Sequence, residues 1–228
     1  MQINGATVLV TGGNRGLGKA FVEEFLDRGA KTVYAAARDP RTVTDSRAVA
    51  LQLDVTDRAS IERAAAIAGD VTLLVNNAGI DTLNRSFVGG DRAEIQREFD
   101  TNLFGPLDVT RAFAPVIIRN GGGHLLNVAS VLSWLPGGAY GAAKAALWSA
   151  TNHLRTELAP QGIGVTGLYV GYIDTDMSSY TTLPKSEPRA VARAAADGIE
   201  AGLDEVLADD FTRAVRGALG GDPTSLLG

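Results

Sequence analysis

The sequence contains no cysteine, and its only histidines are His124 and His153. The first absence removes disulfides, thiolate nucleophiles and cysteine-ligated metals. The second leaves no cluster of transition-metal ligands, so both histidines are expected to be structural or surface groups and no metal site is expected. Long hydrophobic runs are missing as well: nothing approaches the ~20 apolar residues of a membrane-spanning helix. The start, Met1-Gln-Ile-Asn-Gly5, lacks the charged region and apolar core of a secretion signal. Excess positive charge is also absent. Lys and Arg number 21 against 26 Asp and Glu, for a net charge of −5, and the basic residues are dispersed, unlike the footprint of a nucleic-acid binder. These absences lead to the expectation of a soluble cytoplasmic protein whose partner is neither a membrane nor a nucleic acid.

What remains is a chain of 228 residues, 45% hydrophobic, suited to one domain spanning 1–228 with a core that needs no staples. Short β-branched or apolar runs at 6–11, 32–37, 49–55, 71–76, 125–130 and 165–171 alternate with helical patterns around 57–68, 91–119 and 139–159. That alternation predicts an α/β fold, a single doubly wound parallel sheet with helices on both faces. Residues 184–188 read as a loop before helical segments at 189–202 and 211–219, with 205–208 as a brief edge strand.

Two motifs carry chemistry. Thr11-Gly-Gly-Asn-Arg-Gly16-Leu-Gly18 follows the first strand run directly, and Ala20, Phe21, Phe25 and Leu26 then form a helix stripe that ends at Arg28-Gly29. Strand, glycine turn and helix is the order in which backbone N–H groups and a helix N-terminus receive a pyrophosphate. Tyr140-Gly-Ala-Ala-Lys144 places a phenol and an ammonium at i and i+4, on one helix face. A phenol ionises near pH ~10, and a cation in a partly dry pocket is expected to lower that. Ser130 closes the run Asn127-Val-Ala-Ser130 on a rigid mount and supplies a carbonyl-polarising hydroxyl. Ser133 is its rival, because the loop to Tyr140 is short.

With Asp54-Val55, Asn76-Asn-Ala-Gly79, Asn102 in Asp-Thr-Asn-Leu-Phe-Gly, and Gly171-Tyr-Ile-Asp-Thr175 also in order, the chain resembles a classical short-chain dehydrogenase/reductase over nearly its whole length. The resemblance implies a Rossmann-type fold and a role for each matching residue. Tyr140 would be the general acid in reduction and Ser130 would hold the substrate oxygen. Lys144 would lower the tyrosine pKa and contact the nicotinamide ribose, and Asn102 would hold a water linking Lys144 to solvent. Gly12, Asn14, Arg15, Gly16, Leu17 and Gly18, with Asn76, Ala78, Gly79 and Gly171, are the implied cofactor contacts of the glycine turn and strand ends. Asp54 and Val55 would meet the adenine, and Ile173 and Thr175 the nicotinamide amide and a phosphate.

Charge separates the two nicotinamide cofactors. Where the second strand run ends, an NAD enzyme presents an acid to the ribose diol, but here the chain reads Tyr34-Ala-Ala-Ala37-Arg38-Asp39. Arg38 and Arg15 offer two guanidinium groups to a 2′-phosphate. NADPH, or NADP+ in the reverse direction, is therefore expected, with Asp39 keeping NAD as the alternative. Ser133, Trp134, Leu135, Tyr172, Met177 and Tyr180 are the expected substrate-pocket residues, core packing being the competing reading for Trp134 and Leu135. The expected activity is NADPH-dependent reduction of a small-molecule ketone or aldehyde. Its alternatives are an NAD-dependent secondary-alcohol dehydrogenase of the same fold and an NADPH-responsive binding protein without turnover. A homodimer or homotetramer is expected, with helices 91–119 and 139–159 forming a dimer face.

Overall fold

Alternation along the strands decides which side chains meet which layer of helices. In β1 (Thr7–Thr11), Val8 and Val10 turn to one face of the sheet and Leu9 to the other, and all three are fully buried. Six further strands join it: β2 (Thr32–Ala37), β3 (Val49–Gln52), β4 (Leu73–Asn76), β5 (Gly123–Val128), β6 (Ile163–Tyr169) and β7 (Glu205–Leu207). They form one parallel sheet in the order β3-β2-β1-β4-β5-β6-β7. The computed structural model describes residues 1–221; residues 222–228, which the expected domain includes, lie outside the described residues.

One face is covered by α1 (Gly16–Asp27) and α6 (Pro188–Ala201), whose Phe21, Phe25, Val191 and Ile199 pack with Val8, Val10, Val33 and Leu168. The other is covered by α2 (Arg58–Ile67), α4 (Gly105–Arg119) and α5 (Gly138–Leu158), where Val109, Phe113, Ile117 and Leu158 meet Leu9, Leu74 and Leu125. This is the doubly wound architecture expected from the alternation. An ion-pair hub ties α1 to α6: Arg28 reaches Glu24 at 2.9 Å, Glu200 at 2.8 Å and Asp197 at 2.6 Å. The chain closes with α7 (Asp210–Ala218). Among the described residues no helix is long and apolar enough to cross a membrane.

The strand order places the reversal between β1 and β4, so their carboxyl ends open the crevice in which such sheets bind ligands. The strand runs at 49–55, 71–76, 125–130 and 165–171 are trimmed at one or both ends. Asp54, Val55, Ser130 and Gly171 thereby fall in the loops at the crevice. The continuous helix expected over 91–119 is broken. It divides into α3 (Arg92–Phe99), a π-helical segment Asp100–Phe104, and α4. Pro106 explains the break: it has no N–H for the carbonyl four residues back, that of Asn102, so the ladder shifts and the Gly105 N–H bonds to the Asp100 carbonyl.

Of the two histidines, His153 lies exposed on α5, whereas His124 is buried in β5. The His124 Nε2 lies 2.8 Å from the Thr166 hydroxyl, whose own proton goes to the Leu203 carbonyl. The Thr166 oxygen therefore accepts the Nε2 proton and selects the neutral ring. Burial lowers the His124 pKa from 6.5 to about 4. Because the unfolded chain binds this proton at ~6.5, stability is full above that pH and declines as pH falls toward 4, by up to about 3 kcal/mol. Urea unfolding between pH 4 and 7 is expected to trace this limb, and His124→Gln is expected to flatten it.

Candidate active site

Every element that ends at the crevice contributes to a single polar constellation. Between β1 and α1, Gly12 and Gly16 take left-handed φ values of +66° and +53°. Gly18 cannot carry a side chain, since a Cβ there would fall 2.0 Å from the Gly12 carbonyl oxygen. Leu17 is buried behind the turn, while Arg15 and Gly16 are exposed. No side chain caps the N-terminus of α1 and no acidic residue occupies its first turn, so its N–H groups face the crevice without a protein anion. That bare, glycine-walled helix start fits a pyrophosphate.

The turn is tied to β4 by Asn77, a residue that the sequence reading left out of the site. Thr11 Oγ1 accepts from the N–H groups of Asn77 and Ala78 at 2.9 and 3.0 Å and donates to the Val75 carbonyl at 3.2 Å. Asn77 Nδ2 in turn donates to the Thr11 carbonyl at 2.8 Å. Its neighbour Asn76 was expected among the cofactor contacts, but the side chain turns inward. Asn76 Nδ2 donates to Asn127 Oδ1 at 2.9 Å and to the Thr110 hydroxyl at 3.0 Å, joining β4, β5 and α4 beneath the crevice. Gly79 stands where a Cβ would meet Asn102 Oδ1 at 2.9 Å.

At the adenosine end, Arg38 is exposed just past β2. Asp39 is engaged elsewhere: its carboxylate takes two bonds from the Arg41 guanidinium, both 2.9 Å, and one from the Arg41 N–H. The Arg41 side chain holds the Asp39 pKa below its ordinary range. Asn14 donates to the Thr42 hydroxyl at 3.0 Å, linking the glycine turn to the same corner. The Asp54 carboxylate accepts from the Thr56 N–H and hydroxyl at 2.9 and 2.7 Å, and Val55 packs against Gly105. Thr175 lies against Gly16, where a Cβ would be 3.2 Å from the threonine methyl, and Ile173 pairs with Ser186 across an isolated bridge. Gly171 is held by the Asp209 carboxylate at 2.7 Å.

Ser130, Tyr140, Lys144 and Asn102 converge at the ends of β4 and β5. Ser130 Oγ accepts from the Leu132 N–H at 3.1 Å, donates to the Val170 carbonyl at 3.5 Å, and lies near enough to the Tyr140 phenol to favour its ionised form. Lys144 is buried; its Nζ donates to the Val128 carbonyl at 2.7 Å and lies 5.6 Å from the centre of the Tyr140 ring. Asn102 is buried on the π-helical segment, accepting from the Ile80 N–H at 3.0 Å and donating to the Ile80 carbonyl at 2.9 Å. Ser133 does not compete for the phenol: its hydroxyl donates to the Lys144 carbonyl at 3.0 Å.

Two expectations are corrected here. Lys144 was expected to depress the phenol, yet the Tyr140 pKa is pushed up, first by burial and then by the Asp81 carboxylate. The same burial draws Lys144 down to about 8, so the phenol keeps its proton while Lys144 stays charged only below about that pH. Trp134 was expected on the substrate side but turns into the interior, stacking on Tyr169 at 4.7 Å and meeting Trp148 edge-on at 6.2 Å, with Arg216 over its ring. Leu135, with an edge of Trp134, lines a groove of about 460 Å³ beside Leu132, Phe87, Gly138, Gly141 and Ala145. Those α5 positions lie on the side of the helix away from Tyr140 and Lys144, so this groove is not the carbonyl site. Tyr172 and Tyr180 do meet, ring edge to face at 6.2 Å, and Met177 is exposed beside them.

A parallel sheet with a glycine turn at its switch point, facing a serine, tyrosine and lysine, defines the dinucleotide-binding oxidoreductase class. Residues 6–185 match the short chain dehydrogenase family, and the chain belongs to it. It is 31% identical over 229 residues to the ketoacyl reductase HetN of Nostoc sp., covering 90% of this chain and 79% of that protein. A short chain dehydrogenase from Burkholderia cenocepacia in complex with NADP superposes with a TM-score of 0.94 at 37% identity, covering 99% of this chain and 97% of the other. A 3-ketoacyl-(acyl-carrier-protein) reductase from Brucella melitensis complexed with NADH gives a TM-score of 0.82 at 28% identity, covering 89% and 96%.

The Thr11–Asn77 knot leads to a direct expectation. Asn77→Ala leaves the Thr11 carbonyl without its side-chain donor and is expected to destabilise the fold by about 1–3 kcal/mol. Urea unfolding of the variant beside the parent checks this value.

Proposed function

We propose that this protein is an NADPH-dependent carbonyl reductase. The observation that carries the reading is the buried Lys144 ammonium 5.6 Å from the centre of the Tyr140 ring, with the Ser130 hydroxyl beside the phenol. When bound, the nicotinamide supplies a hydride to the carbonyl carbon. The glycine turn and the uncapped start of α1 hold its pyrophosphate. Ser130 and Tyr140 together donate to the carbonyl oxygen, where negative charge develops, and Tyr140 passes its proton to that oxygen to give the alcohol. Lys144 holds positive charge near the phenolate left behind, and Asn102 fixes the chain at Ile80 beside it.

The choice of NADPH rests on Arg38, Arg15 and the engagement of Asp39. An NAD-selective site needs a free carboxylate at the end of β2, whereas the Asp39 carboxylate is bound by Arg41. Arg38 has no acidic partner among the described residues, and Arg15 meets only the exposed Asp176 at 3.7 Å, so both can turn to the 2′-phosphate. The NADP-bound neighbour supports the same reading, while the NADH-bound reductase keeps NAD as the alternative.

Tyr140→Phe is expected to lower kcat for ketone reduction by about 10²–10⁴-fold while leaving NADPH binding intact. Initial rates and a fluorescence titration test this, and wild-type activity in the variant would refute the proton-donor role. Arg38→Ala is expected to weaken NADPH by about tenfold, ~1.4 kcal/mol, with little effect on NADH. For pH, the raised phenol stays protonated while Lys144 titrates near 8. The reduction kcat is expected to hold between about pH 6 and 8 and to fall above that as Lys144 loses its charge.

A further inference from the structure

In α3 and the π-helical segment the buried positions are Glu98 and Asn102, one turn apart and flanked by half-buried Ile95 and Phe99, so a carboxylate stands where the interior calls for an apolar side chain. Glu98 is 0% exposed. One of its oxygens accepts from the Thr82 N–H at 2.7 Å and from the Thr82 hydroxyl at 2.6 Å. Its other oxygen is buried with no hydrogen-bond partner among the described residues. Such a carboxylate destabilises the interior relative to an apolar residue, so packing alone does not account for it. Local rules of this kind are broken chiefly at functional sites.

The geometry around Glu98 indicates what it holds. Asn102, one turn further on, bonds both backbone groups of Ile80, so residues 80 and 82 of the chain leaving β4 are gripped in succession from the same helical stripe. Asp81, between them, points the other way: it takes two bonds from the Arg85 guanidinium at 2.8 and 2.7 Å and one from the Leu83 N–H at 2.9 Å. Leu83 sits at φ +61°, a left-handed conformation that leucine keeps only when its surroundings enforce it. The segment then crosses the first turn of α5, where a Cβ on Gly138 would meet the Asn84 carbonyl at 2.6 Å, two residues before Tyr140. The charges of Asp81 and Glu98 both act on the Tyr140 phenol.

We propose that Glu98 is a positioning residue for the carbonyl site: by gripping Thr82 it holds the 80–91 segment as the wall on the substrate side of Tyr140. The proposal rests on the reading of Tyr140 as proton donor to a ketone. It separates substrate placement from cofactor binding, because the glycine turn is tied to β4 through Asn77 and not through Glu98.

The test compares Glu98→Leu, Glu98→Gln and Thr82→Val with the parent, using ethyl acetoacetate as the ketone and NADPH as the reductant. Glu98→Leu is expected to fold at least as stably as the parent, to raise KM for the ketone by about tenfold, and to leave the NADPH Kd within about twofold. Glu98→Gln keeps an oxygen for Thr82 and is expected to restore most of the lost kcat/KM, and Thr82→Val is expected to fall between. Hydrogen exchange supplies a readout without turnover: the Thr82 amide and its neighbours should exchange faster in Glu98→Leu and at the parent rate in Glu98→Gln. Unchanged exchange and KM in Glu98→Leu would overturn the proposal, as would an NADPH Kd that weakens in step with KM. If Glu98→Leu does not fold, Thr82→Val carries the same comparisons. A parent protein that reduces no ketone would refute the carbonyl reading instead, while the exchange rates still decide whether Glu98 holds the wall.

Discussion

The structure depends on one knot of hydrogen bonds, in which the Thr11 hydroxyl and the Asn77 side chain bind the carboxyl ends of β1 and β4 together. Thr11 Oγ1 has one proton and two lone pairs, and all three are used, by the Val75 carbonyl and by the N–H groups of Asn77 and Ala78. Where the strand order reverses, neighbouring strands send their chains apart, and the ends of their ladders would be left open to the crevice. The knot closes them without filling the space above. It also sets the height of the glycine turn, since Gly12 and Gly18 can approach only if Thr11 is fixed below them. The pyrophosphate seat and the wall beyond Gly79 are both built outward from this point.

Beneath the knot the interior is more polar than its position suggests. Asn76 bonds Asn127, Asn127 donates to Thr151 at 2.9 Å, and Thr151 donates to the Leu147 carbonyl on α5 at 2.7 Å. This chain of amides and hydroxyls crosses from β4 through β5 to the helix that carries Tyr140 and Lys144. Directional networks of this kind fix one register where apolar side chains would tolerate several, even though Asn76 Oδ1 has no partner among the described residues. The reacting groups are therefore mounted on α5 and on the end of β5, and these two elements are locked to each other by directional bonds. Lys144 completes the lock through the Val128 carbonyl.

Strand and helix alternation was legible because period-2 and period-3.6 patterns follow directly from burial, and Glu205 to Leu207 emerged as an edge strand even at three residues. The glycine turn was legible from its strand, turn and helix order, Tyr140 and Lys144 from their i, i+4 spacing and Ser130 from its place at a strand end, whereas Asn102 was singled out only through the family resemblance. Three features were not legible. The π-helical segment hides in a sequence that is helical on both sides, although Pro106, four residues after Asn102, was its signal. The inward turn of Trp134 depends on Tyr169 and Arg216, which lie far along the chain. The direction of the Tyr140 pKa depends on desolvation and on Asp81, neither of which adjacency to Lys144 discloses. Local pattern reveals which residues carry chemistry, whereas depth and distant charge decide how they are tuned.

That tuning bears on the direction of the reaction. A half-buried, desolvated phenol that feels the charges of Asp81 and Glu98 binds its proton more tightly than usual and is a poor source of phenolate. Oxidation of an alcohol would have to begin from phenolate, against both burial and charge. Reduction begins from the neutral phenol, and its proton acceptor is an alkoxide, a stronger base than phenolate, so the transfer remains favourable even from a weakened acid. Lys144, itself drawn toward neutrality by burial, gains most from a negative neighbour when the phenolate appears, so its charge acts late in the step and not on the resting site. On the proposed reading, the wall that carries Asp81 would contribute twice, by shaping the space beside Tyr140 and by keeping the proton on Tyr140 until the alkoxide forms.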